Sequence, residues 1–276
     1  MGRRCAQAWR GGLSLIMRQF GESVLDVLVR ENVLQEKATA QAAAHLKNRL
    51  LASLPAEMHG QVVRDLKQLS IAQGAALYEP GDPIDTVYFP QTGVVSLLIV
   101  IENGGTIETS IVGREGAVGL HRGLGARRSF TRAVAQVGGQ FSALSGSRFE
   151  ELVRDHTAFR NLIDRYGELA WAEVQQLAAC NAAHDASSRL ARWLLQCADR
   201  TGSETVPLTQ EFLAQMLGVR RTTVTLLAQV LQRNSFIKYR RGRITILNRE
   251  GLEGCACECY SIIRDETLPV LLGLKE

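Results

Sequence analysis

Residues 208–247 read LTQEFLAQMLGVRRTTVTLLAQVLQRNSFIKYRRGRITIL, and the fold follows from how this stretch is punctuated. Thr209 is placed to cap a helix through its hydroxyl, and Glu211 sits in the first turn where the helix dipole favours an acid. Phe212, Leu213, Met216 and Leu217 recur at helical spacing and make one buried stripe. Gly218 then lets the chain leave that helix through a positive φ at little steric cost. A second helix is expected from about Arg220 to Gln232, with Val224, Leu227, Ala228 and Leu231 inward and Arg221, Thr222 and Thr225 outward. Two β-prone runs follow, Phe236 to Arg240 and Arg243 to Leu247, hinged at Arg241-Gly242. The pattern is a helix-turn-helix with a basic hairpin wing.

Charge agrees with an element that reads DNA. The segment from Leu208 to Glu250 holds eight Lys and Arg against two acids, whereas the whole chain of 276 residues carries only +4. The positive potential is therefore local, as expected where one face meets phosphates. Arg can donate twice to guanine, and Thr can bond a base edge or touch a thymine methyl. The expected DNA-binding residues are Thr209, Gln210, Arg220, Arg221, Thr222, Thr223 and Thr225 on the helices, with Lys238, Arg240, Arg241 and Arg243 on the wing. The partner implied is double-stranded promoter DNA.

The order TQEFLAQMLGVRRTTVT, followed by an apolar helix and a basic wing, resembles the C-terminal domain of the catabolite-activator/FNR (Crp/Fnr) family of bacterial transcription regulators, and the likeness extends upstream to about Leu46. The resemblance implies an α+β architecture: a cyclic-nucleotide-binding-like β-roll, a long dimerisation helix and a C-terminal winged helix-turn-helix. It also implies a cytoplasmic homodimer on palindromic promoter sites, with RNA polymerase and a small-molecule effector as further partners. Expected boundaries are an arm over 1–45, an effector domain over 46–155, the dimerisation helix over 156–184, the DNA-binding domain over 185–250 and a helical tail over 251–276. The family's base-reading Arg-Glu-x-x-x-Arg falls on Arg221, Thr222 and Leu226, so only the first Arg is kept and operator choice should differ.

The rest of the chain is consistent with that architecture. Between Leu69 and Gly146 lie 13 of the 25 glycines, separating short β-prone pieces such as Val94 to Ile101 and Thr106 to Val112. Leu77-Tyr78-Glu79-Pro80-Gly81-Asp82 resembles the turn that opens the family's roll. Family members that bind a cyclic nucleotide place a carboxylate on the ribose and an Arg-Ser pair on the phosphate. Here Leu120 stands at the carboxylate position, so a cyclic nucleotide is disfavoured and no cofactor is assigned. The residues left to hold an effector are Glu115, Gly119, Arg127, Arg128 and Ser129, the last three as donors to an anion. Ile163, Tyr166, Ala170, Val174 and Leu177 form an apolar stripe expected to be the dimer seam.

Other function classes find less support. Of six cysteines, Cys255, Cys257 and Cys259 form CACEC, whose single-residue spacing fits tetrahedral metal sites poorly, so no metal is expected and the thiols are read as reduced. No apolar run reaches membrane-spanning length. The arm, with Arg3, Arg4, Arg10 and Arg18, is too interrupted for a secretory signal. The five histidines are scattered, and neither a phosphate loop nor a Gly-x-Ser-x-Gly turn occurs, so no enzyme is expected. The competing reading is a ligand-sensing or protein-interaction module with vestigial DNA binding.

Overall fold

A computed structural model of the chain describes residues 45, 47–102 and 105–267, so the N-terminal arm expected over 1–45 lies, but for its last residue, outside the described residues. The described chain opens with two short helices, α1 (Arg49–Ala52) and α2 (Ala56–Asp65). Asn48 caps α1 by accepting from the Leu51 N–H at 3.0 Å, and its amide donates to the carbonyls of Pro90 and Gly116 at 2.9 and 2.8 Å. One buried side chain thus fixes where the chain enters the β domain.

Seven strands follow: β1 (Lys67–Ile71), β2 (Ala76–Tyr78), β3 (Thr86–Pro90), β4 (Val94–Val100), β5 (Thr106–Val112), β6 (Arg132–Val137) and β7 (Gly139–Ser145). They form two antiparallel sheets, in the orders β1-β7-β3 and β2-β6-β4-β5. Tyr78, Val95, Val112, Ala133 and Phe141 fill the space between them. Burial along the strands comes in runs, nearly continuous in β6 and the middle of β7, as in strands covered on both faces.

Helix α3 (Gly146–Asp155) starts at Ser145, whose hydroxyl accepts from the Arg148 N–H, and extended His156 separates it from the 27-residue α4 (Thr157–Ala183). Tyr166 of α4 seats on Gly116 so closely that a Cβ there would overlap the ring. Asp185 then caps α5 (Ala186–Thr201), accepting from the N–H groups of Ser187 and Ser188 at 2.7 and 3.1 Å. Beyond it come β8 (Thr205–Pro207), α6 (Gln210–Leu217), α7 (Arg221–Arg233), β9 (Ile237–Arg240), β10 (Arg243–Ile246), α8 (Arg249–Glu253), α9 (Cys259–Ile262) and one π turn (Ile263–Thr267). Strands β8, β10 and β9 make a small third sheet, so the wing is a hairpin reinforced by a strand that its own residues did not announce.

One core spans the roll and the winged helix. Val94, Leu98 and Val134 of the roll pack with Leu190, Trp193 and Leu194 of α5, and these in turn with Leu213, Val224 and Ile244. Every residue of α5 from Ala191 to Ala198 is buried, which is what an element gripped from two sides requires. Polar bonds add direction: Trp193 Nε1 donates to Glu108 Oε1 on β5 at 2.9 Å, and Gln73 Nε2 donates to the Pro207 carbonyl at 2.8 Å.

The expected seam on α4 needs correction. Ile163 and Tyr166 belong to the chain's own core with α1–α3, and Leu177 is buried as well, while Ala170 and Val174 are half-buried. A 3.6-residue stripe reports burial without saying what covers it. The face α4 leaves exposed carries Trp171, at 63 %, with Gln175, Ala178 and Ala182 at alternating spacings of four and three. Among the described residues no helix is long and apolar enough to cross a membrane.

Candidate nucleic-acid interface

Thr209 holds the start of α6 as expected, its hydroxyl accepting from the Phe212 N–H at 3.2 Å. The helix ends at Gly218 with φ +64°, and Arg220, extended, leads into α7 without a side-chain cap. The first N–H groups of α7 are thus left open beside Arg220 and Arg221, both exposed, which favours an anion there. Val224, Ala228 and Leu231 anchor α7 from below.

Its outer face presents Arg221, Thr222, Leu226 and Gln229 in one row, and Leu226 is 63 % exposed. Arg221 Nε points to Gln210 Oε1 at 3.4 Å, a loose contact that orients the guanidinium and leaves its terminal nitrogens free to donate twice. Thr225 has already given its hydroxyl hydrogen to the Arg221 carbonyl at 3.0 Å, so it can offer only a lone pair and a methyl group. Thr223 and Gln210 are half-buried. Gln229 was missed by the sequence reading, although its helical distance from Thr222, Thr225 and Leu226 carries the signal; it lines a groove with Thr225, Gln232, Tyr239 and Arg241.

The wing turns through Arg241 (φ +51°) and Gly242 (φ +70°), the two left-handed residues that a two-residue hairpin of matching twist requires. Lys238, Arg240 and Arg243 project to one exposed side, bordered by Thr205 and Thr245. Gln232 of α7 accepts from the Tyr239 N–H at 3.0 Å and so fixes the wing against the outward-facing helix. Arg249, which enters the basic surplus by sequence, is bound internally by Asp199, Glu204 at 3.0 Å and Glu253 at 3.1 Å and is spent on packing.

The residues expected to hold an effector are not brought into one site. Glu115 is buried and accepts from the Gly113 N–H and from Arg200 Nε of α5, each at 2.8 Å. Arg200 reaches Glu173 of α4 at 3.0 Å with its other arm, so one guanidinium ties the β5 loop to two helices. Burial, together with the charge of Glu115, pushes the Glu173 carboxyl up to about 7 against the pull of Arg200. Arg127 and Arg128 are exposed; Arg128 donates to the Gly81 carbonyl at 2.6 Å, and Ser129 closes its own turn on Thr131. Gly119 takes φ +94° against the Tyr78 hydroxyl. A cavity of 260 Å³ is lined by the ion triad of Glu115, Glu173 and Arg200 together with Arg49, Arg114 and Tyr166, so of the residues expected to hold an effector only Glu115 reaches it. The Arg114 Nε is buried with no bonding partner among the described residues.

The CACEC motif also has a setting that its spacing did not show. Cys257 and Cys259 meet Cys180 and His184 from the end of α4, and the four ligand atoms lie within 4.8 Å of one another. The absence of a metal site, expected from CACEC alone, therefore left out half of the donors.

Comparison with known proteins agrees with this geometry. Residues 68–156 match the model of the cyclic nucleotide-binding domain, and residues 188–255 match that of the Crp-like helix-turn-helix domain. The global nitrogen regulator of Synechococcus elongatus is 25% identical over 185 residues, covering 64% of this chain and 83% of its own. Among solved structures, FixK2 from Bradyrhizobium japonicum aligns with a TM-score of 0.61 at 16% identity, over 70% of this chain and 98% of its own. TTHB099, a transcriptional regulator of the CRP family from Thermus thermophilus, aligns with a TM-score of 0.58 at 22% identity, over 69% and 96%.

Proposed function

Because this chain belongs to the Crp/Fnr family of DNA-binding transcription regulators, we propose that it acts as a cytoplasmic homodimer that reads a two-fold promoter site through Arg221, Thr222, Leu226 and Gln229. It is a regulator and not an enzyme. The observation that carries the reading is the exposed row on α7 standing beside a wing whose charged face is wholly basic. Arg221 reads guanine, Leu226 and Thr222 read thymine methyls or base edges, and the wing residues Lys238, Arg240, Arg241 and Arg243 neutralise phosphates. Two copies meet along the Trp171 face of α4, which places their α7 helices in successive major grooves. RNA polymerase is the partner met at such sites.

The effector in this reading is a small anion other than a cyclic nucleotide. Leu120 offers no carboxylate to a ribose, and Glu115 is consumed by Arg200. The cavity beside α4 supplies Arg49 and Arg114, whose Nε has no hydrogen-bond partner among the described residues, and its occupant would bear directly on both α4 and α5.

The test is selection of binding sites from random duplex DNA by the full chain, followed by footprinting. A palindrome with half-sites about 10 base pairs apart is expected. Recovery of no preferred sequence, with weak binding to all DNA, would return the protein to the class of interaction modules.

A further inference from the structure

We propose that Cys180, His184, Cys257 and Cys259 form a tetrahedral site for one thiophilic divalent cation, zinc by its donor set, that clamps the end of α4 to the segment following the winged helix. The inference is independent of which effector or operator the protein uses.

The geometry is that of a preformed shell. A zinc ion bonded to sulfur at about 2.3 Å sets its thiolates roughly 3.7 Å apart, with a sulfur-to-imidazole edge slightly shorter. Cys180 Sγ and Cys257 Sγ stand 3.5 Å apart, and Cys259 Sγ lies 3.6 Å from His184 Nδ1. All four donor atoms fall within 4.8 Å, tighter than the cysteines of an iron-sulfur cluster, which must enclose several atoms. Three of the donors are buried and the histidine is half-buried. A disulfide between Cys180 and Cys257 would use two of these groups and leave the other two unexplained.

The surroundings complete the set. His184 turns Nδ1 toward the sulfurs and its Nε2 toward Glu258 Oε1 at 3.1 Å, the carboxylate-to-histidine arrangement that fixes the tautomer of a metal-bound imidazole. Gln176 Nε2 donates to Cys259 Sγ at 3.0 Å, as suits a thiolate. Arg192, buried on α5, supplies positive charge near Cys180 and Cys257 and helps offset a shell whose net charge with a divalent ion is negative.

Placement gives the site a consequence. Cys180 and His184 occupy the last turn and cap of α4, and Asp185 begins α5, which underlies the DNA-reading helix. Cys257 and Cys259 follow α8 and open α9. The cation would span the α4–α5 junction from outside and hold the winged helix at one orientation to α4. Metal loss or thiol oxidation would release that hold and weaken operator binding.

The experiment uses the full chain purified under reducing conditions without chelator. Elemental analysis should find zinc stoichiometric with the chain. Replacement by cobalt should give the visible ligand-field bands of a tetrahedral ion and near-ultraviolet thiolate charge transfer. Cys257→Ser and His184→Gln should lose most of that spectrum, Glu258→Gln should weaken cobalt binding about tenfold, and Cys255→Ser should leave it unchanged. Because the cobalt spectrum is read first on the unmodified chain, misfolding of a variant does not decide the question. A reduced chain that takes up neither zinc nor cobalt would overturn the proposal. So would iron with inorganic sulfide in place of zinc, a Cys180–Cys257 disulfide as the species recovered, or equal loss in Cys255→Ser.

Discussion

Replacing Glu108 by Gln should make the protein more stable at neutral and alkaline pH and no more stable below about pH 4.5. Glu108 lies on β5, 4 % exposed, where Ser96 Oγ donates to it at 2.6 Å and Trp193 Nε1 of α5 at 2.9 Å. Desolvation dominates its titration and pushes its carboxyl up to about 7, although those hydrogen bonds and the charges of Arg192 and Arg200 pull the other way. The unfolded chain ionises Glu108 near the ordinary value of 4.5, while the folded chain keeps the proton until about 7. Between those values the native state binds the extra proton, so stability falls as pH rises through that window and the full penalty is present above it. A shift of this size corresponds to roughly 3 kcal/mol. The amide in the Glu108→Gln variant would keep an oxygen for Trp193 and an NH₂ group toward Ser96, and it would carry no charge to bury. Denaturant titrations of both proteins at several pH values from about 4 to 9 should give stabilities that nearly coincide at the acid end, diverge in favour of the variant as pH rises from 4.5 to about 7, and keep a constant gap above that. Glu173, also raised to about 7, remains in both and cancels in the difference. Parallel curves, or a variant less stable at pH 8, would refute the burial argument.

Three further substitutions probe the wing, the exposed face of α4 and the ion triad. Arg241→Gly removes a left-handed non-glycine residue and should raise stability by about 1 kcal/mol, while lowering the slope of log affinity on log salt by about 0.9 for one lost phosphate contact; loss of stability would show that the Arg241 side chain holds the turn. Trp171→Glu puts a charge on the exposed face of α4 and should shift the sedimentation profile from dimer to monomer without lowering the melting temperature, and an unchanged dimer would move the seam elsewhere. Arg200→Met leaves Glu115 and Glu173 largely buried without their cation and should cost about 3–5 kcal/mol at pH 8, with the deficit shrinking as pH falls toward 7, because Glu173 takes up its proton at higher pH once the pull of Arg200 is gone; a pH-independent loss would mean that packing, not charge, is what Arg200 supplies.

The elements that could be read from sequence are those whose information is local. Thr209, the 212–217 stripe and Gly218 lie within a dozen residues and specify the first helix and its turn by themselves, and Gly242 between two β-prone runs marks the turn of the wing. Strand β8 was not legible, because three residues ending in Pro207 become a strand only when β10 lies beside them. The face of α4 was misassigned for a related reason: periodicity marks Ile163 and Tyr166 as buried, while the identity of the covering surface depends on α1–α3 and on Gly116. Glu115 pairs with Arg200 and Cys257 with Cys180, partners 85 and 77 residues away, so neither the ion triad nor the thiol cluster has a spacing to detect.

If α7 reads base edges and the wing only positions the protein, the affinities of Arg221→Ala for the selected operator and for the same operator with the contacted base pair changed will show it. The loss should be about 1–3 kcal/mol on the matched site and almost none on the changed one, so that discrimination at that position disappears. Equal losses on both would contradict it and reduce Arg221 to a backbone contact.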